Sequence, residues 1–254
     1  MKCVRAVLKH MIKNNELKSL LDIASKAAKN AGEYLIKRKD DEKKIFNEIG
    51  RDIKLEIDRD TEKLIRQELI KTKIPVLGEE FGDDDISSKY KWVIDPLDGT
   101  SNYFRGLDQC CVSIALVRED KALIGIIYNF NNNELFTSFK GGGAYLNNTR
   151  ICVSNISKVE NSTLTTGFPA SEKITLGSEL FTGFKLWKKI RMFGSAALSC
   201  AYVASGRCDV YQEKGVYLWD FAAGICLVEE AGGKAFYKKI DDSRYSVNFT
   251  NGRL

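Results

Sequence analysis

The chain has almost no histidine: of its 254 residues only His10 is one, and it lies close to the amino terminus. A Ser-His-Asp triad, a Cys-His pair and a histidine-ligated metal site each require an imidazole beside the reacting groups. These classes of site are therefore excluded. Chemistry in this protein has to rest on carboxylates, hydroxyls, lysine, cysteine or a hard metal ion.

Long apolar runs are missing as well. No uninterrupted hydrophobic stretch is long enough to span a bilayer, and the N-terminal segment MKCVRAVLKHMIK carries too many charges to be a signal peptide. The formal net charge is +5, yet lysines and arginines are interleaved with acids along the chain, as on a mixed solvated surface. We therefore expect a soluble protein without membrane or nucleic-acid partners. Residues 1–14 are expected to form a disordered basic tip at its N-terminus.

The seven cysteines do not form a disulfide or zinc pattern. Their number is odd, no C-x-x-C occurs, and none pairs with a histidine at a zinc-like spacing. Most lie among apolar residues, where cysteine packs as a small hydrophobe. This usage indicates a reducing compartment, and we expect the protein to be cytoplasmic.

The spacing of apolar residues predicts several helices. Apolar residues recur at three- and four-residue intervals over about 15–36, which indicates a first helix, and a second is predicted over about Asp58–Lys71. Between them, KRKDDEKKIFNEIGRD is typical of a surface loop or hairpin. Further helices are predicted near Ser178–Lys188, over Ser195–Ser205 and over Asp220–Ala231.

Short apolar runs predict the strands. IPVLGEE reads as a buried strand ending in acids, and KWVIDPLDGT as a strand that runs into a turn. The runs CCVSIALV and ALIGIIYN, joined by REDK, predict an antiparallel hairpin that ELFTSF and AYLNN continue. In the C-terminal part, STLTTGF, IRMF, DVYQEK and KAFYKK are predicted strands.

Helices and strands alternate, but several neighbouring strands are predicted to be antiparallel. The expected class is therefore a layered α+β fold rather than a parallel doubly wound one. The pattern changes near Val153. We divide the chain there into an N-terminal α+β half, 15–153, and a C-terminal α/β half, 154–254.

Two acids follow the predicted buried strand in WVIDPLDGTS. Asp95 comes directly after three large apolar residues, and the turn behind it can bring Asp98 close. Two carboxylates held together at the edge of a core repel each other, so either one takes up a proton or a cation neutralises both. Without sulfur or imidazole ligands nearby, an oxygen-preferring cation is expected, and Mg²⁺ is the prime candidate.

Neighbouring residues extend this candidate site. Gly99 lets the backbone pass close to a ligand, and Thr100 and Ser101 supply hydroxyls and N–H groups for an anion. Glu79 and Glu80, after the strand IPVLG, can bring a third carboxylate to the same edge. Asp220 opens a predicted apolar helix, and its spacing leaves two interpretations open, a helix cap or a metal ligand.

Taken together, these segments resemble a known family. GEE at 78–80, WVIDPLDGTSNY at 92–103 and WDFAAG at 219–224 closely resemble the signatures of the inositol monophosphatase family. GFP at 167–169 and GSAA at 194–197 are similar to segments of its bacterial members. The resemblance covers nearly the whole chain. It implies a layered αβαβα sandwich of the inositol monophosphatase and fructose-1,6-bisphosphatase type, and a homodimer.

The resemblance also implies roles for individual residues. The implied metal ligands are Glu79, Asp95, the Leu97 carbonyl, Asp98 and Asp220. Glu79 and the Thr100 hydroxyl match the groups that orient the attacking water, and Asp58 matches an acid that hydrogen-bonds this threonine. The implied substrate contacts are Gly99, Thr100, Ser101, Arg191, Gly194, Ser195, Ala196 and Glu213.

The implied activity is Mg²⁺-dependent hydrolysis of a phosphate monoester of a small polyol, with myo-inositol monophosphate as the first candidate. Two Mg²⁺ ions ~4 Å apart would clamp the attacking and leaving oxygens. A third, weaker Mg²⁺ near Glu79 and inhibition by Li⁺ are also implied.

Two alternatives remain open beside this activity. One is a 3′(2′),5′-bisphosphate nucleotidase or fructose-1,6-bisphosphatase, and the other is a partner-binding regulatory protein on the same fold. The sequence departs from many family members at 43–52, where no clear lysine-containing loop is found. After DGT the chain continues with Ser-Asn-Tyr, whereas Lys-Glu-Phe is expected in the family members that act on bisphosphate nucleotides. This difference argues against a nucleotide substrate.

Overall fold

The computed structural model describes residues 12–41, 44–49, 52–168 and 183–254. The helices in these ranges are α1 (Asn14–Lys37), α2 (Glu56–Leu69), α3 (Thr100–Phe104), α4 (Ala196–Ala204) and α5 (Leu218–Glu230). The first strands are β1 (Ile45–Ile49), β2 (Asp52–Leu55), β3 (Val76–Gly78), β4 (Gly82–Asp83), β5 (Tyr90–Asp98), β6 (Cys111–Arg118), β7 (Lys121–Asn129), β8 (Glu134–Phe139), β9 (Gly143–Leu146) and β10 (Thr149–Ile151). The later strands are β11 (Thr163–Thr166), β12 (Lys189–Arg191), β13 (Val210–Tyr217), β14 (Lys234–Lys239) and β15 (Arg244–Thr250).

Several sequence predictions fall partly on residues that are not described. Residues 1–11 of the predicted tip and residues 178–182 of the helix predicted near Ser178–Lys188 lie outside the described ranges. Residues 185–188 form a turn that leads into β12, so the helix prediction is wrong for this last part. Between α1 and α2, the segment predicted as a loop or hairpin contains β1 and ends at the first residue of β2, with which β1 pairs antiparallel.

Eight strands form the larger sheet, in the order β10-β9-β8-β7-β6-β5-β3-β4. Its neighbours are antiparallel except for β3 and β5, which run parallel with Gly78 opposite Ile94. The predicted hairpin is β6–β7, in which Arg118 pairs with Lys121. These two strands are almost entirely buried, and burial on both faces explains their nearly continuous apolar sequences.

Five strands form the smaller sheet, in the order β12-β11-β13-β15-β14. β11 is parallel to both of its neighbours, and the other pairs are antiparallel. Strand β15 is missing from the sequence prediction, although its apolar residues at 245, 247 and 249 alternate with polar ones. The presence of β15 between β13 and β14 is therefore a correction.

The helices and sheets form successive layers. α1 and α2 cover one face of the larger sheet, while α4 and α5 fill the space between the two sheets. Trp92 and Ile94 pack with α1 and α2, whereas Val93 between them packs with α4 and α5, because successive strand residues face opposite sides. The predicted layered α+β class is confirmed. None of the helices described is both long and apolar enough to cross a membrane.

Two helices, α2 and α5, begin two residues earlier than predicted, for the same physical reason. In each, the aspartate predicted to open the helix lies at its third position and turns back to the residue before the helix. Asp58 Oδ2 accepts the Leu55 N–H at 2.7 Å, and Asp220 Oδ2 accepts the Tyr217 N–H at 2.7 Å. The carboxylate thereby satisfies a backbone donor that the helix itself leaves unpaired.

Helix α5 packs closely against the larger sheet at Gly125 of β7, and this contact generates a stability prediction. A Cβ at Gly125 would lie 2.3 Å from the Ala223 carbonyl oxygen. We expect Gly125→Ala to push the helix from the sheet and to lower the free energy of unfolding by about 1–3 kcal/mol, measured by urea denaturation. Gly183→Ala is the control, because a Cβ there meets no atom of the described residues within 4 Å. Equal stability of the two variants would contradict the packing.

Candidate active site

A cavity of about 540 Å³ lies where strands from both sheets end. The larger sheet lines it with the residue after β3 and the end of β5, and the smaller sheet with the end of β11 and with β13. The N-termini of α3, α4 and α5 also reach it. Helix N-termini present unpaired N–H groups and the positive end of the helix dipole, so the cavity suits an anionic ligand.

Asp95 lies at the centre of the acidic side of this cavity. Its side chain is almost completely buried, and Oδ1 accepts the Leu97 N–H at 3.0 Å. Burial is the main cause that raises the pKa of Asp95 well above its usual range, followed by the charges of Glu79, Asp98 and Asp220. The structure therefore brings together four acids that sequence analysis selected from three separate segments.

Asp98 connects the two halves of the chain. The pairing of β5 with β6 shifts between Asp95 and Asp98, and the Asp98 carboxylate then meets the N-terminus of α4. Its Oδ2 accepts the Ser195 hydroxyl at 2.5 Å and the Ala197 N–H at 2.8 Å, and Oδ1 accepts the Ala196 N–H at 3.3 Å. Burial raises the pKa of Asp98, and these donors act in the opposite direction.

Asp220 is a helix cap, and its role as a metal ligand stays a prediction. One oxygen caps α5 through the Tyr217 N–H, and the residue also lines the cavity. Burial, then the charges of Asp98 and Glu79, raise the pKa of Asp220 well above its usual range. The cap therefore holds this carboxylate in the cavity rather than turning it away.

Electrostatic repulsion decides which ligand fits here. Of the described residues that line the cavity, five are acidic and two are basic. Among the described residues, no three His, Cys, Asp or Glu side chains come close enough together to hold a metal ion as they are now oriented. The acidic, all-oxygen set is nevertheless the donor chemistry that hard divalent cations prefer, and a cation would relieve the repulsion. These residues fit Mg²⁺ by chemistry, and closing on it requires side chains to turn.

The turn behind Asp98 forms the anion-facing side of the cavity. Gly99 has a φ of 91°, and a Cβ there would lie 2.7 Å from the Gln109 carbonyl oxygen, so both conformation and space require glycine. Thr100 and Ser101 open α3, and the Thr100 hydroxyl donates to the Leu97 carbonyl at 2.9 Å. The predicted phosphate-binding residues thus line the cavity beside the acids.

Two selected residues do not line this cavity in the part of the chain that is described. Asp58 is buried at the start of α2 and caps it, so its predicted bond to Thr100 stays a prediction. Arg191 is exposed at the end of β12, where Nη1 donates to the Ile190 carbonyl at 3.0 Å. Its contact with substrate also stays a prediction.

Glu213 of β13 lines the opposite wall. Its pKa is raised to about 7, mainly by burial and also by the charge of Asp98, while the Tyr211 hydroxyl opposes the rise by donating a hydrogen bond at 3.0 Å. A Cβ on Gly167 would lie 2.1 Å from Glu213 Oε1, so the carboxylate packs directly against the backbone after β11. Gly194, Ser195 and Ala196 complete this wall at the start of α4.

Comparison with known proteins decides the family. The model of the inositol monophosphatase family matches residues 16–241. The chain belongs to this family. It is 42% identical over 224 residues to the Nus factor SuhB of Xylella fastidiosa, covering 85% of this chain and 81% of that protein. It is 36% identical over 252 residues to the inositol-1-monophosphatase of Synechocystis sp., covering 94% of this chain and 87% of the relative.

A solved structure agrees with this family assignment. The inositol monophosphatase of Anabaena (Nostoc) sp. superimposes with a TM-score of 0.82 at 35% identity, covering 93% of this chain and 92% of that one. The family and the sandwich fold predicted from the motifs are both confirmed. Family membership supports phosphatase activity and the use of divalent metal ions, which matches the acidic cavity.

Sequence analysis missed one wall of this cavity, which is aromatic and cationic. The rings of Tyr217 and Trp219 stack with centroids 4.8 Å apart, and the Arg244 guanidinium lies 4.6 Å from the Tyr217 ring centroid. Arg244 also donates to the Gly215 carbonyl at 2.7 Å and to the Tyr217 hydroxyl at 2.8 Å. Aromatic residues on both sides of Asp220 gave a partial signal, but nothing local in the sequence indicated Arg244.

The bond between Ser195 and Asp98 generates a second stability prediction. The Ser195 hydroxyl donates to Asp98 and accepts the Leu198 N–H at 3.2 Å, so it also caps α4. We expect Ser195→Ala to lower the free energy of unfolding by about 1–2 kcal/mol in chemical denaturation. Ser205→Ala, at the other end of the same helix, removes a bond to the Ala201 carbonyl and is the control. An equal or larger loss in the control would contradict this role.

Proposed function

We propose that this protein is a Mg²⁺-dependent phosphatase that hydrolyses a phosphate monoester of a small polyhydroxylated molecule, with myo-inositol monophosphate as the first candidate. The observation that carries the proposal is the convergence of Glu79, Asp95, Asp98 and Asp220 on one cavity together with three helix N-termini. Acids that repel one another suit divalent cations, and helix N-termini suit the phosphate. Family relatives named inositol-1-monophosphatase support the same activity.

The proposed metal ligands are Glu79, Asp95, the Leu97 carbonyl, Asp98 and Asp220. Two or three Mg²⁺ ions per site are proposed. When bound, Mg²⁺ acts as a Lewis acid on the phosphate and lowers the pKa of water. We extend the proposal to inhibition by Li⁺ through competition for the same oxygens.

The chain's own groups divide the remaining tasks. The backbone N–H groups and hydroxyls of Gly99, Thr100 and Ser101 hold the phosphate at the start of α3. The Thr100 hydroxyl and Glu79 orient the attacking water, and Asp58 supports Thr100. On the opposite wall the polyol hydroxyls meet Glu213, Gly194, Ser195, Ala196 and, as a further proposed contact, Arg191. No histidine is needed for this division of roles.

Two other functions follow from specific observations. The first is hydrolysis of a substrate that carries a second phosphate, such as a bisphosphate nucleotide or fructose-1,6-bisphosphate. The cationic side chains of Lys214 and Arg244 on the cavity wall favour this option, because they could pair with the second phosphate. Relatives named Nus factor SuhB favour a regulatory role through a partner protein. We also propose that the protein is a homodimer and that it is located in the cytoplasm.

Substituting Asp95 tests the phosphatase proposal. We expect the parent protein to release phosphate from myo-inositol monophosphate only with Mg²⁺, and Asp95→Asn to remove nearly all turnover because it weakens the metal site. The metal-free variant should be at least as stable as the parent, since one of several repelling carboxylates is gone. Turnover is measured by phosphate release, and stability by thermal unfolding.

Asp108→Asn is the matched control for this test. Asp108 is exposed, pairs with Lys39 at 2.8 Å and does not line the cavity. Full activity of Asp95→Asn would contradict the proposal. Preference for a bisphosphate in the same panel of substrates would select the alternative enzyme. An inactive parent would favour the regulatory role.

Substituting Thr100 tests its role in catalysis separately from binding. If its hydroxyl orients the water, Thr100→Ala should lower kcat by about a hundredfold and leave KM nearly unchanged. Steady-state kinetics at saturating Mg²⁺ measures both constants. Thr149→Ala, on the exposed strand β10, is the control. A higher KM with unchanged kcat would show that Thr100 only binds the substrate.

A further inference from the structure

An acid that sequence analysis did not select lies directly beneath the turn that carries Glu79. Glu62 of α2 is completely buried, which is rare for a glutamate. Its Oε2 accepts the Glu80 N–H at 2.7 Å, and Oε1 accepts the Phe81 N–H at 3.3 Å. The Glu80 N–H belongs to the peptide bond that follows Glu79. Glu62 therefore holds the backbone of this residue from the side of the core.

The fit between Glu62 and the turn leaves no spare room. A Cβ at Gly78 would lie 2.1 Å from Glu62 Oε1 and 2.4 Å from its carboxyl carbon. Gly78 ends β3, where it pairs with Ile94 of β5 one residue before Asp95. The carboxylate thus lies against the backbone at the point where the strand delivers Glu79 to the cavity.

Arg66, one helical turn after Glu62, completes the support. Its Nε donates to Glu62 Oε1 at 2.7 Å, its Nη1 to Asp84 Oδ1 at 2.7 Å, and its Nη2 to the Gly82 carbonyl at 2.8 Å. Asp84 Oδ2 in turn accepts the Val76 N–H at 3.1 Å. Arg66 therefore ties together the strands on both sides of the turn.

Stability alone does not account for this arrangement. Burying an ion pair costs several kcal/mol of desolvation free energy, and apolar residues of similar size are often as stabilising. The three donors recorded for Glu62 are two amides of the turn and the arginine that holds its far side. Such a network fixes a backbone conformation, as partners of metal ligands do in other sites.

We infer that Glu62 and Arg66 are positioning residues that set the orientation of Glu79 toward the metal site. The inference rests on the proposed function, because Glu79 is a metal ligand only there. Neither Glu62 nor Arg66 is proposed to contact the substrate. Its consequence is that damage to this buried pair weakens metal binding through the backbone of the turn.

Glu62→Gln tests the inference with little change in shape. The carboxylate oxygens of Glu62 accept hydrogen bonds from Arg66 and from the N–H groups of Glu80 and Phe81. In the glutamine variant the side-chain NH₂ must therefore face one of these donors and disturb the turn. We expect the Kd for Mg²⁺, measured by calorimetry on the metal-free protein, to rise by about 10- to 100-fold. At saturating Mg²⁺, much of kcat should return while KM for substrate stays unchanged. Glu68→Gln is the control, on the same helix in an exposed pair with Lys71.

The outcomes of this experiment separate the positioning role of Glu62 from the proposed function. An unchanged Kd in Glu62→Gln, even with a lower melting temperature, would overturn the positioning role and leave the proposed function intact. A parent protein that takes up no Mg²⁺ would overturn both. If Glu62→Gln does not fold, Arg66→Lys carries the test, because lysine cannot reach Glu62, Asp84 and Gly82 together. The Kd should then rise about tenfold, and an unchanged value would overturn the inference.

Discussion

Repulsion among buried carboxylates is the constraint on which this structure depends. Asp95, Asp98 and Asp220 face one cavity with Glu79, and burial together with their neighbours' charges raises the pKa of Asp95 and Asp220 well above the usual range. Hydrogen bonds from Leu97, Ser195 and Tyr217 offset part of this cost. The remaining negative charge makes the cavity a site for cations, and the adjoining helix N-termini make it a site for an anion beside them.

The fold keeps these groups together because each is fixed at the end of a packed element. Asp98 reaches from the larger sheet to the start of α4, so hydrogen bonds within the site join the two halves of the chain. Close approaches at Gly125 and Gly78 leave α5 and the turn after β3 little freedom to move. The packed elements hold the backbone positions of these acids together, and the repulsion between the carboxylates is left for a ligand to relieve.

Local sequence signals explain which parts could be predicted. The apolar run before Asp95 and the turn to Asp98 are contiguous in the chain, so a buried pair of acids at a strand end followed directly. The convergence of Asp220 is a long-range contact, and the family motif was needed to predict it. Glu62 and Arg66 lie at i, i+4 in α2, a common surface spacing, and nothing local in the sequence indicates the turn that packs on them. Arg244 lies on β15, an unpredicted strand, so its place at the cavity was not foreseen.

The central claim is that these acids converge to bind divalent cations, and anomalous diffraction tests it most directly. Crystals of the metal-free protein soaked in Mn²⁺, a substitute for Mg²⁺ with the same preference for oxygen, would be measured at a wavelength where manganese scatters anomalously. The account predicts peaks within coordinating distance of Asp95, Asp98, Asp220 and Glu79. Peaks confined to the protein surface, with none in the cavity, would contradict it.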